Sequence, residues 1–126
     1  MNKSLPKYGP YTPIVKAGEY YYISGQVGVD QISKVAPSDV VDQLRIIFDN
    51  LKKLLATEHL TLDNIIKTTI FLTDITDFAR INEVYVAMFN EPRPARSTVG
   101  VKQLPMVGGG VDLKIEIEAI AYKKGG

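Results

Sequence analysis

The segment Lys114-Ile115-Glu116-Ile117-Glu118-Ala119-Ile120-Ala121, near the end of the 126-residue chain, alternates apolar and polar side chains. Such alternation is typical of a β-strand, because successive side chains point to opposite faces of the sheet. One set of positions suits a face covered by helices: Leu113, Ile115, Ile117, Ala119 and Ala121. The other set mixes charged and apolar groups: Lys114, Glu116, Glu118, Ile120 and Tyr122. A half-polar face is typical of an interface or a site, so we expect a homo-oligomer.

Upstream of this strand, helical and extended patterns alternate along the chain. Ser38–His59 has apolar residues at helical spacing, with Ser38 as the expected N-cap. A second helix is predicted near Asp77–Asn90, with Thr76 or Asp77 as its cap. The predicted strands are an extended run within residues 8–16, Glu19–Ser24, Ile66–Asp74, Arg96–Lys102 and Val111–Tyr122. The order β-β-α-β-α-β-β predicts an α+β fold, in which two helices cover one face of a mixed sheet.

Composition excludes several classes of protein. The chain has no cysteine and one histidine, so it has no thiolate nucleophile, no disulfide framework and no multi-histidine metal site. Fifteen basic and fourteen acidic residues give a formal charge of +1, which disfavours a dedicated nucleic-acid binder. The length predicts a single domain over residues 1–126. With neither a secretory leader nor a membrane-spanning run in the sequence, we expect a cytoplasmic protein without a membrane partner.

The segment Pro94-Ala95-Arg96-Ser97 places an arginine where a strand begins. Arginine suits carboxylate recognition, because its planar fork donates two parallel hydrogen bonds. Thr98 shares its strand face, and Gly100 would leave space beside them, so a small anion pocket is one interpretation. The other is an ordinary Arg–Glu pair between neighbouring strands, which the pattern alone favours.

Glu116 and Glu118 also share a strand face, and paired carboxylates can perform acid–base chemistry. Glu116 lies nearer the start of its strand and is the better candidate to reach a cleft, whereas Glu118 fits simple polar alternation. Other features receive structural interpretations. His59 is expected to be a cation at a helix C-terminus, Gly108–Gly110 a flexible turn, and Tyr20–Tyr22 alternating core and interface residues.

Seven segments occur in the order seen in the RidA/YjgF family of reactive-intermediate deaminases, also known as endoribonuclease L-PSP, and the chain resembles that family over nearly its whole length. The segments are Gly9–Tyr11, Ser24–Gly28, Lys67–Asp74, Asp77–Ala79, Asn82–Tyr85, Pro94–Ser97 and Ile115–Ala121. The combination of Pro94–Ser97 with Ile115–Ala121 is specific to the family.

The resemblance implies a chorismate mutase-like fold and a homotrimer in which the sheets form a central barrel, with active clefts between subunits. It also implies a cofactor-independent hydrolase that converts small 2-imino acids, such as 2-iminobutanoate or 2-iminopropanoate, to 2-oxo acids and ammonia. Arg96 would grip the substrate carboxylate and Glu116 would activate water. The other implied substrate-binding residues are Tyr11, Ser24, Asn82 and Thr98.

The chain departs from the family pattern at four places. Thr98 stands where many members have cysteine, and Thr12-Pro13 replaces Ser-Gln. The segment Asn90–Arg93 is short, and Met106–Gly110 is inserted. These changes flank the implied cleft and bear on substrate range. Two alternatives remain beside the deaminase: an endoribonuclease or translation-inhibiting activity, and a non-catalytic trimeric scaffold that binds metabolites or acts as a chaperone.

Overall fold

A computed structural model describes residues 10–105 and 112–125 of the chain. The predicted order β-β-α-β-α-β-β is confirmed, and two short 3-10 turns, Leu62–Asn64 and Ile75–Asp77, are added to it. The Gly108–Gly110 turn lies outside the described residues. The elements are β1 Ile14–Ala17, β2 Tyr20–Val27, α1 Val40–Ala56, β3 Ile65–Leu72, α2 Phe78–Met88, β4 Ala95–Gly100 and β5 Ile115–Tyr122.

The five strands form one mixed sheet in the order β1-β2-β5-β3-β4. Only β3 and β4 run parallel, and α2 makes the crossover that a parallel pair requires. The remaining neighbours are antiparallel. Because β4 ends the sheet, the residues of the Pro94–Ser97 segment lie at an edge.

Both helices pack on one face of the sheet and share its hydrophobic core, as predicted. Of the residues expected to face the helices, Ile115, Ile117, Ala119 and Ala121 are buried in this core. The prediction for Leu113 is wrong, because β5 begins only at Ile115. Leu113 instead joins a second, smaller cluster, whose other buried members are Val29 and Leu104.

Within residues 10–105 and 112–125, no helix covers the opposite face of the sheet, which carries the predicted mixture of apolar and charged groups. Tyr21 is buried in the core, whereas Tyr20 and Tyr22 are more than two-fifths exposed. Val15 and Val99 are similarly exposed, and Glu118 lies between them on β5. We call this surface, defined by Val15, Tyr20, Tyr22, Val99, Glu116, Glu118 and Ile120, the open face.

The ends of the helices differ from the predictions. Asp39, not Ser38, is the N-cap of α1: its Oδ1 accepts from Val41 N at 3.3 Å, and its carboxylate also pairs with Arg80 of α2 at 2.8 Å. A carboxylate can serve both partners, and a serine hydroxyl cannot carry the ion pair. The helix ends at Ala56, and His59 lies beyond it with a φ of 59°, so it is not part of the last turn.

The start of α2 confirms Asp77, one of the two predicted caps, in the N-cap position. Asp74 caps the short turn before the helix, accepting from Thr76 N at 3.0 Å, and Asp77 then holds the cap position without a side-chain hydrogen bond. Strand bounds shift as well. The second strand continues past Ser24 to Val27 through a bulge, and the last two strands are shorter than expected.

Gln43 fastens the start of β5 to α1. It is fully buried on the helix, and its Nε2 donates to Pro37 O at 2.8 Å and to Asp112 O at 2.9 Å. Its Oε1 accepts from Lys114 N at 2.9 Å. A buried amide with three partners is well satisfied and specifies geometry. Gln43 therefore sets where the strand that carries Glu116 begins.

Candidate active site

Arg96 lies on the helix side of the sheet. Its register partner on β3 is Thr68, whose buried hydroxyl is 2.7 Å from the hydroxyl of Tyr85 on α2. The guanidinium donates from Nη1 to Asn82 Oδ1 at 2.8 Å. Its Cζ lies 4.8 Å from the centroid of the Tyr85 ring and 5.1 Å from that of Phe78. One face of α2 thus holds the cation.

Most of the N–H donors of the Arg96 guanidinium are unused by the described residues. Across residues 10–105 and 112–125, no carboxylate pairs with Arg96, and Asn82 is its one hydrogen-bond partner. The ion-pair interpretation therefore fails for the described chain. Of the five N–H donors of an arginine, one is used, which leaves four. A half-buried cation with a free fork is suited to bind a carboxylate.

Thr98 lies two residues further along β4, opposite the core residue Ile70. Its Oγ1 is buried and has no hydrogen-bond partner among the described residues. A buried hydroxyl without a partner costs free energy, so it is a natural contact for a ligand. The space beside Gly100 would accept a Cβ, which would meet Ile75 Cβ at 3.4 Å, an ordinary van der Waals distance. Ile75 therefore bounds this end of the strand face.

Glu116 lies on the open face, between the core residues Ile115 and Ile117. Its carboxylate packs against the backbone of Gly25 at the bulge of β2, where any Cβ would collide with it. Burial raises the pKa of the Glu116 carboxyl, and the negative charge of the neighbouring Glu118 raises it further. A carboxylate with a raised pKa is a better proton acceptor than an ordinary one.

Tyr11 and Ser24 lie near the Glu116 side of the molecule. Ser24 Oγ donates to Thr12 O at 2.7 Å, which ties the segment beside Tyr11 to the β2 bulge. Gly25, the next residue, contacts Glu116. Tyr11 itself is 40% exposed and available to a ligand.

The structure therefore divides the six candidate residues into two groups. Asn82, Arg96 and Thr98 form one group, which we call the Arg96 half-site. Tyr11, Ser24 and Glu116 form the other, which we call the Glu116 half-site. Arg96 pairs with Thr68 of the neighbouring strand, and both side chains lie on the helix side of the sheet. Glu116 pairs with Phe71, and both of these side chains lie on the open face. Within one chain the two half-sites do not meet.

Sequence reasoning missed three residues at these half-sites. Phe78 and Tyr85 were not among the candidate site residues, although their spacing around Asn82 (i, i+4, i+7) places all three on one helix face. Gly25 was not a candidate either, because its contact with Glu116 depends on a bulge that sequence does not reveal.

Among residues 10–105 and 112–125, no three His, Cys, Asp or Glu side chains gather as a metal centre would require. No helix in this part of the chain has the length and apolar character needed to cross a membrane.

The family model described as endoribonuclease L-PSP matches residues 1–123. The chain belongs to this family, also called RidA/YjgF. A RutC family protein of Pyrococcus horikoshii is 42% identical over 117 residues, which are 92% of this chain and 89% of the relative. TdcF of Escherichia coli, whose name includes the words reactive intermediate deaminase, is 42% identical over 118 residues, covering 91% of this chain and 88% of that protein.

Solved structures of the RidA/YjgF family have the same fold. RidA from an Antarctic Psychrobacter species is 36% identical and superposes with a TM-score of 0.87, covering 96% of this chain and 94% of that chain. The crystal structure of Escherichia coli TdcF with bound serine is 40% identical, with a TM-score of 0.85 and the same two coverages. The five-stranded sheet with two helices is therefore a RidA-type α+β fold, and relatives named as deaminases point to an enzyme.

Proposed function

We propose that this chain is a cofactor-independent deaminase that hydrolyses small 2-imino acids, such as 2-iminobutanoate and 2-iminopropanoate, to 2-oxo acids and ammonia. The observation that carries the proposal is the Arg96 guanidinium, held half-buried with four N–H donors unused by the described protein. A bidentate contact to a carboxylate would satisfy two of them. The serine-bound structure of the related TdcF supports a small carboxylate-bearing ligand for this chain.

The reaction requires positioning and one proton acceptor. Arg96 binds the substrate carboxylate, which orients the adjacent C=N carbon. Glu116 removes a proton from water as the water oxygen bonds to that carbon, and the C=N electron pair moves onto nitrogen. Glu116 returns that proton to the nitrogen, which gives a neutral carbinolamine, and then transfers the hydroxyl proton to the amine. The C–N bond breaks, and ammonia leaves as the C=O bond forms. An imine carbon is already electrophilic, so orientation and general-base catalysis suffice.

The complete site forms between copies of the chain, with the Arg96 half-site from one subunit and the Glu116 half-site from another. We assign the assembly to a homotrimer whose open faces line a central barrel, in the chorismate mutase-like arrangement. Two features support an assembly: the half-sites lie on opposite faces of the sheet, and Tyr20, Tyr22 and Val99 leave large apolar surfaces exposed on the open face.

The test generates the imine in situ with an amino-acid oxidase and follows release of the 2-oxo acid. We expect acceleration over buffer, and its loss in Arg96→Ala. Arg45→Ala, which removes an exposed arginine of α1, is the matched control and retains activity. No acceleration by the wild-type protein, or full activity in Arg96→Ala, would contradict the deaminase.

The family description favours one alternative, cleavage of RNA. Purified protein incubated with messenger RNA distinguishes the two functions. Intact RNA alongside imine hydrolysis supports the deaminase, and RNA cleavage without imine hydrolysis supports the alternative. Tight binding of a carboxylate without turnover would indicate a metabolite-binding scaffold.

A further inference from the structure

The guanidinium of Arg96 is held by more than its hydrogen bond to Asn82. Phe78, Asn82 and Tyr85 follow each other at i, i+4 and i+7 on α2, so the amide lies between the two rings along one helix face. Both ring centroids lie within 6 Å of Arg96 Cζ, the range of a cation–π contact. Two rings and one amide therefore contact a single cation.

The two rings differ in how they are supported. Tyr85 is buried, and its hydroxyl is fixed by Thr68 from the neighbouring strand β3 at 2.7 Å. Phe78 is 38% exposed at the start of α2, although it is a large apolar side chain. Core packing accounts for the position of Tyr85, but an exposed ring over a cation is better explained by its contact with that cation.

We propose that Phe78 and Tyr85 form an aromatic clamp that positions the guanidinium of Arg96 for carboxylate binding, and that Phe78 is the ring whose main contribution is this positioning. The inference rests on the proposed function for its ligand. The rings can position the guanidinium without using any of its N–H donors, because a cation–π contact is made to the face of the group. All four donors that Asn82 leaves unused stay available to the carboxylate.

The clamp predicts two separate measurable effects, one in the free protein and one in the presence of a carboxylate. In the free protein, the side-chain N–H groups of Arg96 must rotate slowly. In the presence of a carboxylate, binding must weaken when a ring is lost. A cation–π contact of this kind corresponds to about 2- to 30-fold in affinity. Arginine has many rotamers, and a clamp removes that freedom before the ligand arrives.

The experiment compares Phe78→Leu, Phe78→Tyr and Val86→Ala with the wild type. Val86 is a similarly exposed apolar residue of the same helix and serves as the control. NMR measures rotation about the Arg96 Nε–Cζ bond in the free protein, and calorimetry measures the affinity for 2-oxobutanoate. We expect Phe78→Leu to speed the rotation and weaken binding about 2- to 30-fold, whereas Phe78→Tyr and Val86→Ala match the wild type.

The outcomes separate the clamp from the proposed function. Unchanged rotation, or unchanged 2-oxobutanoate affinity in Phe78→Leu with a wild-type protein that binds, overturns the clamp and leaves the deaminase standing. A wild-type protein that neither binds 2-oxobutanoate nor hydrolyses imines overturns the deaminase. In that case the rotation measurement alone decides whether the rings hold Arg96. Circular dichroism of each variant confirms that the fold is retained.

Discussion

Arg96 and Glu116 lie on opposite faces of the same sheet. Arg96 shares a register row with Thr68, whose hydroxyl contacts Tyr85 on the helix side. Glu116 pairs with Phe71 and stands between two core residues, so its side chain is on the open face. One chain cannot bring Arg96, the proposed carboxylate-binding residue, and Glu116, the proposed base, to one substrate. If both act on it, they belong to different subunits.

Activity is expected to depend on the planar, two-donor shape of the Arg96 guanidinium as well as on its positive charge. Arg96→Lys keeps a cation but cannot make the planar bidentate contact, and Arg96→Ala removes both. Losing a charge-assisted contact costs about 1.5–3 kcal/mol, or roughly 10- to 150-fold in kcat/KM for a carboxylate substrate. We expect Arg96→Lys to fall between Arg96→Ala and the wild type. Equal activity of the lysine variant and the wild type would contradict bidentate binding.

Activity should fall on the acid side because of Glu116. Burial, and then the charge of Glu118, raises the pKa of the Glu116 carboxyl above its ordinary 4.5. Only the ionised form accepts a proton, so kcat/KM should drop about tenfold per pH unit below that raised pKa. The measurement is the pH profile after subtraction of the buffer rate. An acid limb that persists unchanged in Glu116→Gln would rule Glu116 out as its origin.

The stability of the folded protein should also depend on the ionisation of Glu116. As pH rises, ionisation of Glu116 should increase activity but lower stability. A carboxyl whose folded-state pKa is raised contributes stability that is present below its unfolded pKa and is lost as pH rises through the folded value. Glu116→Gln stays neutral and avoids that loss. The free energy of unfolding of Glu116→Gln, relative to wild type, should therefore increase as pH rises from 4.5 upward. Urea unfolding at several pH values measures it, and a constant difference would contradict the raised pKa.

Gly25 is expected to be essential to the position of Glu116. A Cβ at this residue would collide with the Glu116 carboxylate, so Gly25→Ala must displace it. We expect kcat to fall at least tenfold, as misplacement of a catalytic group by 1 Å costs about 100-fold. The control is a double-mutant cycle. In a Glu116→Gln background the same change should cost little, and full additivity would show that Gly25 acts elsewhere.

Gln43 should contribute to stability through three hydrogen bonds. Gln43→Leu keeps a similar volume but leaves the carbonyls of Pro37 and Asp112 and the N–H of Lys114 unsatisfied. Each buried unsatisfied group costs about 1–3 kcal/mol, so we expect a loss of about 2–5 kcal/mol with partial access of water. Gln103→Leu, at an exposed position, should change stability by less than about 0.5 kcal/mol. Equal unfolding midpoints for both variants would contradict this role.

The order of elements and the core of α1 could be predicted because apolar periodicity reports which face is buried. The cap of α1 could not, because the carboxylate of Asp39 also pairs with Arg80, a residue 41 positions away. Leu113 was misplaced for a related reason: alternation does not show where strand pairing begins, and here Gln43 sets that point.

The candidate residues could be named from sequence, but their division into two half-sites could not. That division depends on strand register, which places Arg96 beside Thr68 and Glu116 beside Phe71. The contact of Phe78 with Arg96 could not be predicted, because aromatic residues at helical spacing form the same sequence pattern whether they pack in a core or against a cation.

Subunit complementation tests the central claim most directly. Arg96→Ala and Glu116→Gln proteins, each with strongly reduced activity alone, are unfolded together in equal amounts and refolded. If each site takes its arginine from one subunit and its glutamate from the next, random assembly restores about one quarter of the wild-type sites. We predict that fraction of wild-type imine hydrolysis in the mixture. No activity above that of the separate variants, in assemblies shown by mass spectrometry to be mixed, would contradict the account.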